Sequence, residues 1–139
     1  TIVLNLISQI ALINGILNFI DTRLKSITLT SSINSTGRYG LPVYSAAKSG
    51  LEGFVRATAE QLGKRGIRIN AIVPGSTKTP LTEKEGMNFN LVKKQTALDR
   101  YNEASDMAEV GRLLIMSEAM TGQCIVVDSG QTMVSTNRY

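Results

Sequence analysis

Two short runs of branched apolar residues, each closed by a turn, constrain the fold more than any other feature of the sequence. Residues 67–73 are rich in Ile and Val and end at a Pro-Gly pair, and residues 123–127 end at Asp-Ser-Gly. Nearly continuous apolar runs of this length are typical of strands covered on both faces, as in parallel sheets. A third β-rich run, residues 27–31, precedes a loop of Ser, Asn, Gly and Pro. We therefore predict three strands.

Helical segments alternate with these strands. We predict helices at residues 3–22, 43–64 and 103–117, and in the second of them the apolar positions recur close to the 3.6-residue period. Residues 76–100 are polar and mixed, and we expect short helices within 80–96. Such alternation indicates an α/β fold with a parallel sheet and right-handed crossovers. We predict one domain, residues 1–139, holding the carboxyl-terminal half of a doubly wound, Rossmann-type sheet.

No glycine-rich phosphate loop of the form G-x-G-x-x-G follows an early strand. The nearest pattern, Gly37-Arg-Tyr-Gly40, has the wrong spacing and leads into Pro42. We therefore expect that the amino-terminal, nucleotide-binding half of the fold is missing. A remnant of this kind exposes an edge of its first strand, and exposed edges associate with other strands. We expect this chain alone to be inactive and either to aggregate or to need a partner.

The composition excludes several classes of site. Histidine is absent and Cys124 is the only cysteine, which rules out Ser-His-Asp and Cys-His catalysis, zinc sites of Cys and His, and disulfides within the chain. A reducing, cytoplasmic setting is therefore expected. The 15 basic residues are scattered and polar residues interrupt the apolar segment 1–20, so we predict neither a nucleic-acid surface nor a membrane segment. Acid–base chemistry would have to use Tyr, Lys, Asp or Glu.

Polar residues follow the ends of the first two predicted strands. Ser31 and Ser32 follow the first strand, and residues 74–79 follow the second. In open α/β sheets, ligands bind outside the carboxyl ends of the strands. Tyr44 and Lys48 are four residues apart near the start of the next helix, so they lie on one helix face. We expect all of these groups to converge at one edge of the sheet.

The order of these residues resembles the catalytic half of the short-chain dehydrogenase/reductase family. The matching elements are Ser31, Tyr44-Ser-Ala-Ala-Lys48 and Asn70-Ala-Ile-Val-Pro74-Gly75-x-x-x-Thr79. Residues 121–123 and 127–130 resemble the closing T-G-Q and V-D-G-G of the family, with Ser129 in place of one Gly. Asn5 resembles a fourth catalytic position. The resemblance covers nearly the whole chain.

The resemblance implies an NAD(P)-dependent carbonyl reductase or alcohol dehydrogenase. Tyr44 would act as the general acid or base, with its anion stabilised by the Lys48 ammonium. Lys48 would also bond the nicotinamide ribose, Ser31 would bond the substrate oxygen, and Asn5 would hold a water that links Lys48 to solvent. The residues implied to bind the cofactor are Tyr44, Lys48, Pro74, Gly75, Thr77 and Thr79. The choice between NADH and NADPH stays open.

Ser31 and Ser32 are both candidates for the catalytic serine. Aligning residues 27–31 with the family sequence V-N-I-S-S keeps both apolar positions of the strand in phase and selects Ser31. A shift by one residue would put Thr28 and Thr30 where apolar residues belong. We favour Ser31 and keep Ser32 as the alternative.

Several alternatives follow from the resemblance. It is strongest toward 3-oxoacyl-carrier-protein reductases, whereas enoyl reductases separate the Tyr and the Lys by more residues. The substrate would be a small carbonyl compound or alcohol, beneath a lid at residues 80–100. The resemblance also implies a homodimer or homotetramer through the helices at 3–22 and 43–64. The second hypothesis is an inactive fragment, or a non-catalytic binding or regulatory module on the same scaffold.

Overall fold

Three parallel strands and the helices that cover them make up the fold. The computed structural model describes residues 1–19 and 23–134. The strands are β1 (Ser26–Thr30), β2 (Arg68–Pro74) and β5 (Cys124–Val127). They pair in the order β1-β2-β5, and both pairings are parallel. The predicted α/β fold with a parallel sheet is confirmed.

Helices connect these strands and precede them. A π-helical turn (Val3–Ile7) leads into α1 (Ser8–Phe19), and the longer helices that follow are α2 (Pro42–Gly63) and α5 (Ala104–Met116). The predicted end of the first helix lies in residues 20–22, outside the described residues. Between β2 and α5 the structure has α3 (Pro80–Lys84) and α4 (Phe89–Lys94), as expected for short helices in this segment.

Sequence reasoning missed a second, very small sheet. It consists of β3 (Thr77–Lys78) and β4 (Asn102–Glu103), which pair in parallel. Neither strand carries an apolar run that could have predicted it, because each is only two residues long. This sheet anchors the segment that follows β2 to the start of α5.

The main core lies between the sheet and the first two helices. Leu51 and Val55 of α2 are fully buried and pack with Leu29 of β1 and Ile69 of β2. Residues of β1 that alternate with Leu29 face the other side, where α5 packs on the strands. The apolar alternation of β1 therefore determines which of its side chains face α2.

Polar side chains of β2 hold α5 and β5 in place. The Asn70 amide is fully buried; its Nδ2 donates to the Met120 carbonyl at 2.8 Å, and its Oδ1 accepts from the Gln123 N–H at 3.0 Å. The Arg68 guanidinium donates to the Leu114 carbonyl at 2.6 Å, near the carboxyl end of α5. Cations at this position satisfy free helix carbonyls. Through these bonds, the side chains of Arg68 and Asn70 join β2 to α5 and to the segment that leads into β5.

The amino-terminal helical segment presents exposed apolar side chains. Val3, Leu4, Ile7 and Leu12 are all at least half exposed. Self-association through the helices at 3–22 and 43–64 stays a prediction. Within residues 1–19 and 23–134, no helix combines the length and the apolarity needed to cross a bilayer.

Replacing Gly75 by Ala should destabilise the fold. A Cβ at this position would lie 2.6 Å from the Cβ and 2.8 Å from the Cα of Asp128, so β2 and β5 would have to separate. We expect the free energy of unfolding to fall by about 2 kcal/mol, as for an overpacked core. Gly63→Ala is the matched control, because a Cβ there meets no atom within 4 Å. Urea denaturation measures both, and equal losses in the two variants would contradict this account.

Candidate active site

A cavity of about 890 Å³ lies at the carboxyl ends of β1 and β2. Its lining includes seven of the eight residues predicted for the site, namely Ser31, Tyr44, Lys48, Pro74, Gly75, Thr77 and Thr79. The structure thus brings these residues to one edge of the sheet, as the strand-end rule predicts. Their roles stay predictions.

Lys48 and Tyr44 lie side by side on the first turns of α2. The Lys48 Nζ is 5.5 Å from the centroid of the Tyr44 ring, within the range of a cation–π contact. The same Nζ donates to the carbonyl of Thr30, the last residue of β1, at 2.8 Å. Lys48 is only 5% exposed, and burial lowers the pKa of its ammonium. The lysine is therefore fixed between the strand end and the phenol.

Ser31 and Ser32 differ in what their hydroxyls contact. Ser31 is buried and faces α2, where its Oγ donates to the Glu52 carboxylate at 3.0 Å and lies 3.2 Å from the Lys48 carbonyl. The Ser32 Oγ accepts from the Asn34 N–H at 3.2 Å and caps a 3₁₀ turn. Both serines line the cavity. Ser31 is the one whose hydroxyl donates to α2, the helix that carries Tyr44 and Lys48.

A second phenol, Tyr39, also lines the cavity. Its hydroxyl donates to the Gln131 carbonyl at 3.3 Å. Burial raises the pKa of Tyr39, an effect that the positive charge of Arg38 opposes and the negative charge of Asp128 reinforces. The Tyr39 hydroxyl is thus held by a main-chain carbonyl, whereas the Tyr44 ring lies beside the Lys48 ammonium.

The loop after β2 is held by its own hydroxyl groups. The Thr77 Oγ1 donates to the Gly75 carbonyl at 2.9 Å, and the Thr79 Oγ1 accepts from the Thr82 N–H at 3.2 Å in the capping box of α3. These bonds leave the hydroxyl oxygens at the cavity with further hydrogen-bonding capacity. In the described part of the chain, no group of three or more Cys, Asp or Glu side chains is placed to hold a metal ion.

A buried network of hydrogen bonds, which sequence reasoning missed, holds this loop in place. Gln131 is buried; its Oε1 accepts from the Ser76 N–H at 2.9 Å and its Nε2 donates to the Ser76 Oγ at 3.0 Å. The Asn102 Nδ2 donates to the Ser76 carbonyl at 3.3 Å, and the Ser129 Oγ donates to the Asn102 Oδ1 at 2.7 Å. The one signal for this network in the sequence was the position of Gln131, a polar residue directly after the turn that follows β5.

Asn5 does not line the cavity. It lies in the π-helical turn Val3–Ile7, and its Nδ2 donates to the Thr1 carbonyl at 3.2 Å. Single π-turns are frequent at functional sites, but the side chain here bonds within its own turn. The water-holding role of Asn5 stays a prediction.

The chain is similar in sequence to known reductases. A family model described as enoyl-(acyl carrier protein) reductase matches residues 1–132. A 3-oxoacyl-[acyl-carrier-protein] reductase of Bos taurus is 38% identical over 104 residues, which cover 75% of this chain and 43% of that protein. Carbonyl reductase family member 4 of Danio rerio is 35% identical over 104 residues with the same coverage. The chain thus spans less than half the length of these relatives.

Solved dehydrogenase structures share the fold. A 4-hydroxyisoleucine dehydrogenase mutant complexed with NADH and succinate has a TM-score of 0.88 at 26% identity, covering 97% of this chain and 59% of that one. A small-chain dehydrogenase in complex with NADPH has a TM-score of 0.70 at 32% identity, covering 78% of this chain and 52% of that one.

Replacing Lys48 by Met should stabilise the fold at neutral pH, because burial penalises the ammonium. Burial lowers the Lys48 pKa below its ordinary value of 10.5. Between the lowered pKa and 10.5, the unfolded chain therefore binds more protons than the folded chain. The Lys48 contribution to stability rises with pH across this window, so the gain from Lys48→Met should shrink as the pH approaches 10.5.

Urea denaturation of both forms at neutral and alkaline pH measures this difference. Lys64→Met is the control, because the Lys64 side chain is 74% exposed and its replacement should show no comparable change with pH. A Lys48→Met chain that is less stable at every pH would show that the bond to the Thr30 carbonyl and the cation–π contact outweigh desolvation.

Proposed function

The chain belongs to the short-chain dehydrogenase/reductase family, and we propose that it carries the proton-transfer site of an NAD(P)-dependent oxidoreductase. The reaction is the reduction of a carbonyl group or the oxidation of a secondary alcohol. The observation that carries the proposal is the buried Lys48 ammonium, held 5.5 Å from the Tyr44 ring centroid at the carboxyl ends of the strands. Two relatives are named as reductases and a similar structure is named as a dehydrogenase, which supports the proposal.

Tyr44 is the proton donor in reduction and the acceptor in oxidation. A free phenol ionises at about pH 10 and transfers protons poorly near neutrality. An adjacent ammonium stabilises the phenolate that remains when Tyr44 gives its proton to the substrate oxygen. Because the Lys48 Nζ is fixed by the Thr30 carbonyl at 2.8 Å, this stabilisation requires no rearrangement during the reaction.

Ser31 supplies a hydrogen bond to the same substrate oxygen. Its contact with α2 supports this assignment over Ser32, whose hydroxyl caps the following turn. In the structure the Ser31 hydroxyl donates to Glu52. To donate to the substrate, the hydroxyl must release this carboxylate and point its proton toward the substrate oxygen.

The residues at the cavity fit the nicotinamide end of the cofactor. When bound, NAD(P)H supplies the hydride and its oxidised form accepts one. The Thr77 and Thr79 hydroxyls and the Lys48 ammonium match the ribose hydroxyls and the carboxamide in their hydrogen-bonding capacity. The Pro74-Gly75 backbone lines the same cavity. One similar structure holds NADH and another holds NADPH, so the proposal extends to both.

A non-catalytic module is the second candidate. It is favoured by the engagement of the Ser31 hydroxyl with Glu52 and of the Lys48 ammonium with the Thr30 carbonyl. Calorimetric titration of the chain with NADH and NADPH distinguishes the candidates. Micromolar binding by the 139-residue chain alone would contradict the view that it is an incomplete binding unit.

Tyr44→Phe should lower kcat by about 100-fold or more, since it removes the only atom that transfers the proton. The fold should be nearly unaffected, because the aromatic ring and its contact with Lys48 are kept. Turnover is measured as NAD(P)H consumption with small ketones, on the protein in the form in which the cell makes it. Tyr39→Phe is the control and should retain activity. Near-normal ketone reduction by the Tyr44→Phe protein would overturn the proposed role.

Ser31→Ala and Ser32→Ala separate the two serine assignments. We expect Ser31→Ala to lower kcat/KM by about 100-fold, as for the loss of one donor to a developing oxyanion. Ser32→Ala should cost about 1 kcal/mol of stability, through the lost cap, and leave kcat/KM within a few-fold. The larger loss of kcat/KM in the Ser32→Ala protein would move the assignment to Ser32.

A further inference from the structure

Leu41 has a backbone conformation that its residue type disfavours. Its φ is 55° and its ψ is 60°, in the left-handed region, which costs a branched residue about 1–2 kcal/mol relative to glycine. The neighbouring glycines of the loop, Gly37 and Gly40, also have positive φ and adopt it freely. A leucine at this position therefore needs an explanation other than the turn itself.

Neither packing nor helix capping provides that explanation. The Leu41 side chain is 62% exposed, so it gains little from the core. It occupies the N-cap position of α2, where Ser, Thr, Asp or Asn would bond a free N–H, and it makes no side-chain cap bond. Strained residues without a folding benefit cluster at ligand sites.

The position of Leu41 connects it with the cavity of the candidate active site. Leu41 lines the cavity three residues before Tyr44, and Leu81 of α3, which is 63% exposed, lines the same cavity. The other apolar side chains in the lining are Ile33, Pro74, Met87, Ala104 and Met107. Apolar groups that are exposed at a cavity gain free energy when a ligand covers them.

The charges of the lining disfavour an anionic group as the ligand portion recognised here. Among the described residues that line the cavity, Lys48 is the only Lys or Arg, and the proposed function assigns its ammonium to Tyr44 and the cofactor ribose. Glu85 is a cavity carboxylate and would repel an anion. The lining therefore favours a neutral, apolar chain over a carboxylate or phosphate.

We propose that Leu41, together with Leu81, recognises an extended apolar chain attached to the reacting carbonyl or alcohol carbon. This inference rests on the proposed function and names the substrate class of the same site. Leu41 determines specificity: its strain is retained because the side chain contacts substrate. The substrate class is a ketone, or the matching secondary alcohol, that carries a neutral apolar chain.

The test compares ketones of increasing chain length, from 2-butanone to 2-octanone, on the protein in the form in which the cell makes it. Calorimetry in the presence of NAD⁺ or NADP⁺, which cannot give a hydride to a ketone, measures affinity without turnover, and NAD(P)H consumption gives kcat/KM. We expect both to increase with chain length. In Leu41→Gly and Leu41→Asn, which tolerate the left-handed region, the 2-octanone to 2-butanone ratio should fall about tenfold, because an apolar contact is lost.

Two control variants show that the effect is specific. Leu41→Met keeps an apolar side chain and should retain the chain-length preference. Leu98→Ala removes an exposed leucine that lies outside the cavity lining and should leave the preference unchanged. Leu41→Gly should also raise the midpoint of thermal unfolding, because it relieves the backbone strain.

The outcomes separate this inference from the proposed function. An unchanged 2-octanone to 2-butanone ratio of affinities in Leu41→Gly overturns the role of Leu41. Chain-length-dependent binding that is lost in Leu41→Gly, but without turnover of any ketone, supports the role of Leu41 and overturns the proposed oxidoreductase activity.

Discussion

The backbone pairing of β2 with its two neighbours fixes every other part of the site. Each ladder extends one hydrogen bond beyond its strands: the Ser31 N–H donates to the Ile72 carbonyl at 2.8 Å, and the Gly75 N–H donates to the Val127 carbonyl at 2.9 Å. These two bonds tie the first residues after β1 and β2 to the neighbouring strands. The loops that line the cavity therefore begin from fixed points, and parallel pairing places those points at one edge.

The site combines rigid support with two local sources of instability. Lys48 is buried although it carries a charge, and Leu41 adopts a left-handed backbone although it is a leucine. Natural folds depart from the rules of local stability mainly where function requires it. The Ser76, Gln131 and Asn102 network provides the opposite contribution, since its buried amide groups are paired and fix the loop beneath the cavity.

Much of the fold could be predicted from the sequence, because its signals are local and repeated. The apolar runs predicted the strands, and the structure places Ser31, which is in phase with Ile27 and Leu29, on the side of α2. The two-residue strands β3 and β4 could not be predicted, since they have no periodic pattern. The contacts of Ser31 with Glu52 and of Gln131 with Ser76 join residues 21 and 55 positions apart, which no local pattern specifies.

The arrangement of Tyr44, Lys48 and Glu52 on successive turns of α2 makes this region sensitive to changes in length. Each residue advances an α-helix by about 100°, so one inserted or deleted residue between Tyr44 and Lys48 would rotate the lysine away from the phenol. Only separations close to a whole number of turns keep the two side chains together. The loop at residues 33–41 has no such periodicity and joins a strand end to a helix start. Homologous chains should therefore vary freely in length before α2, whereas the separation of the Tyr from the Lys within α2 should change only by about whole helical turns.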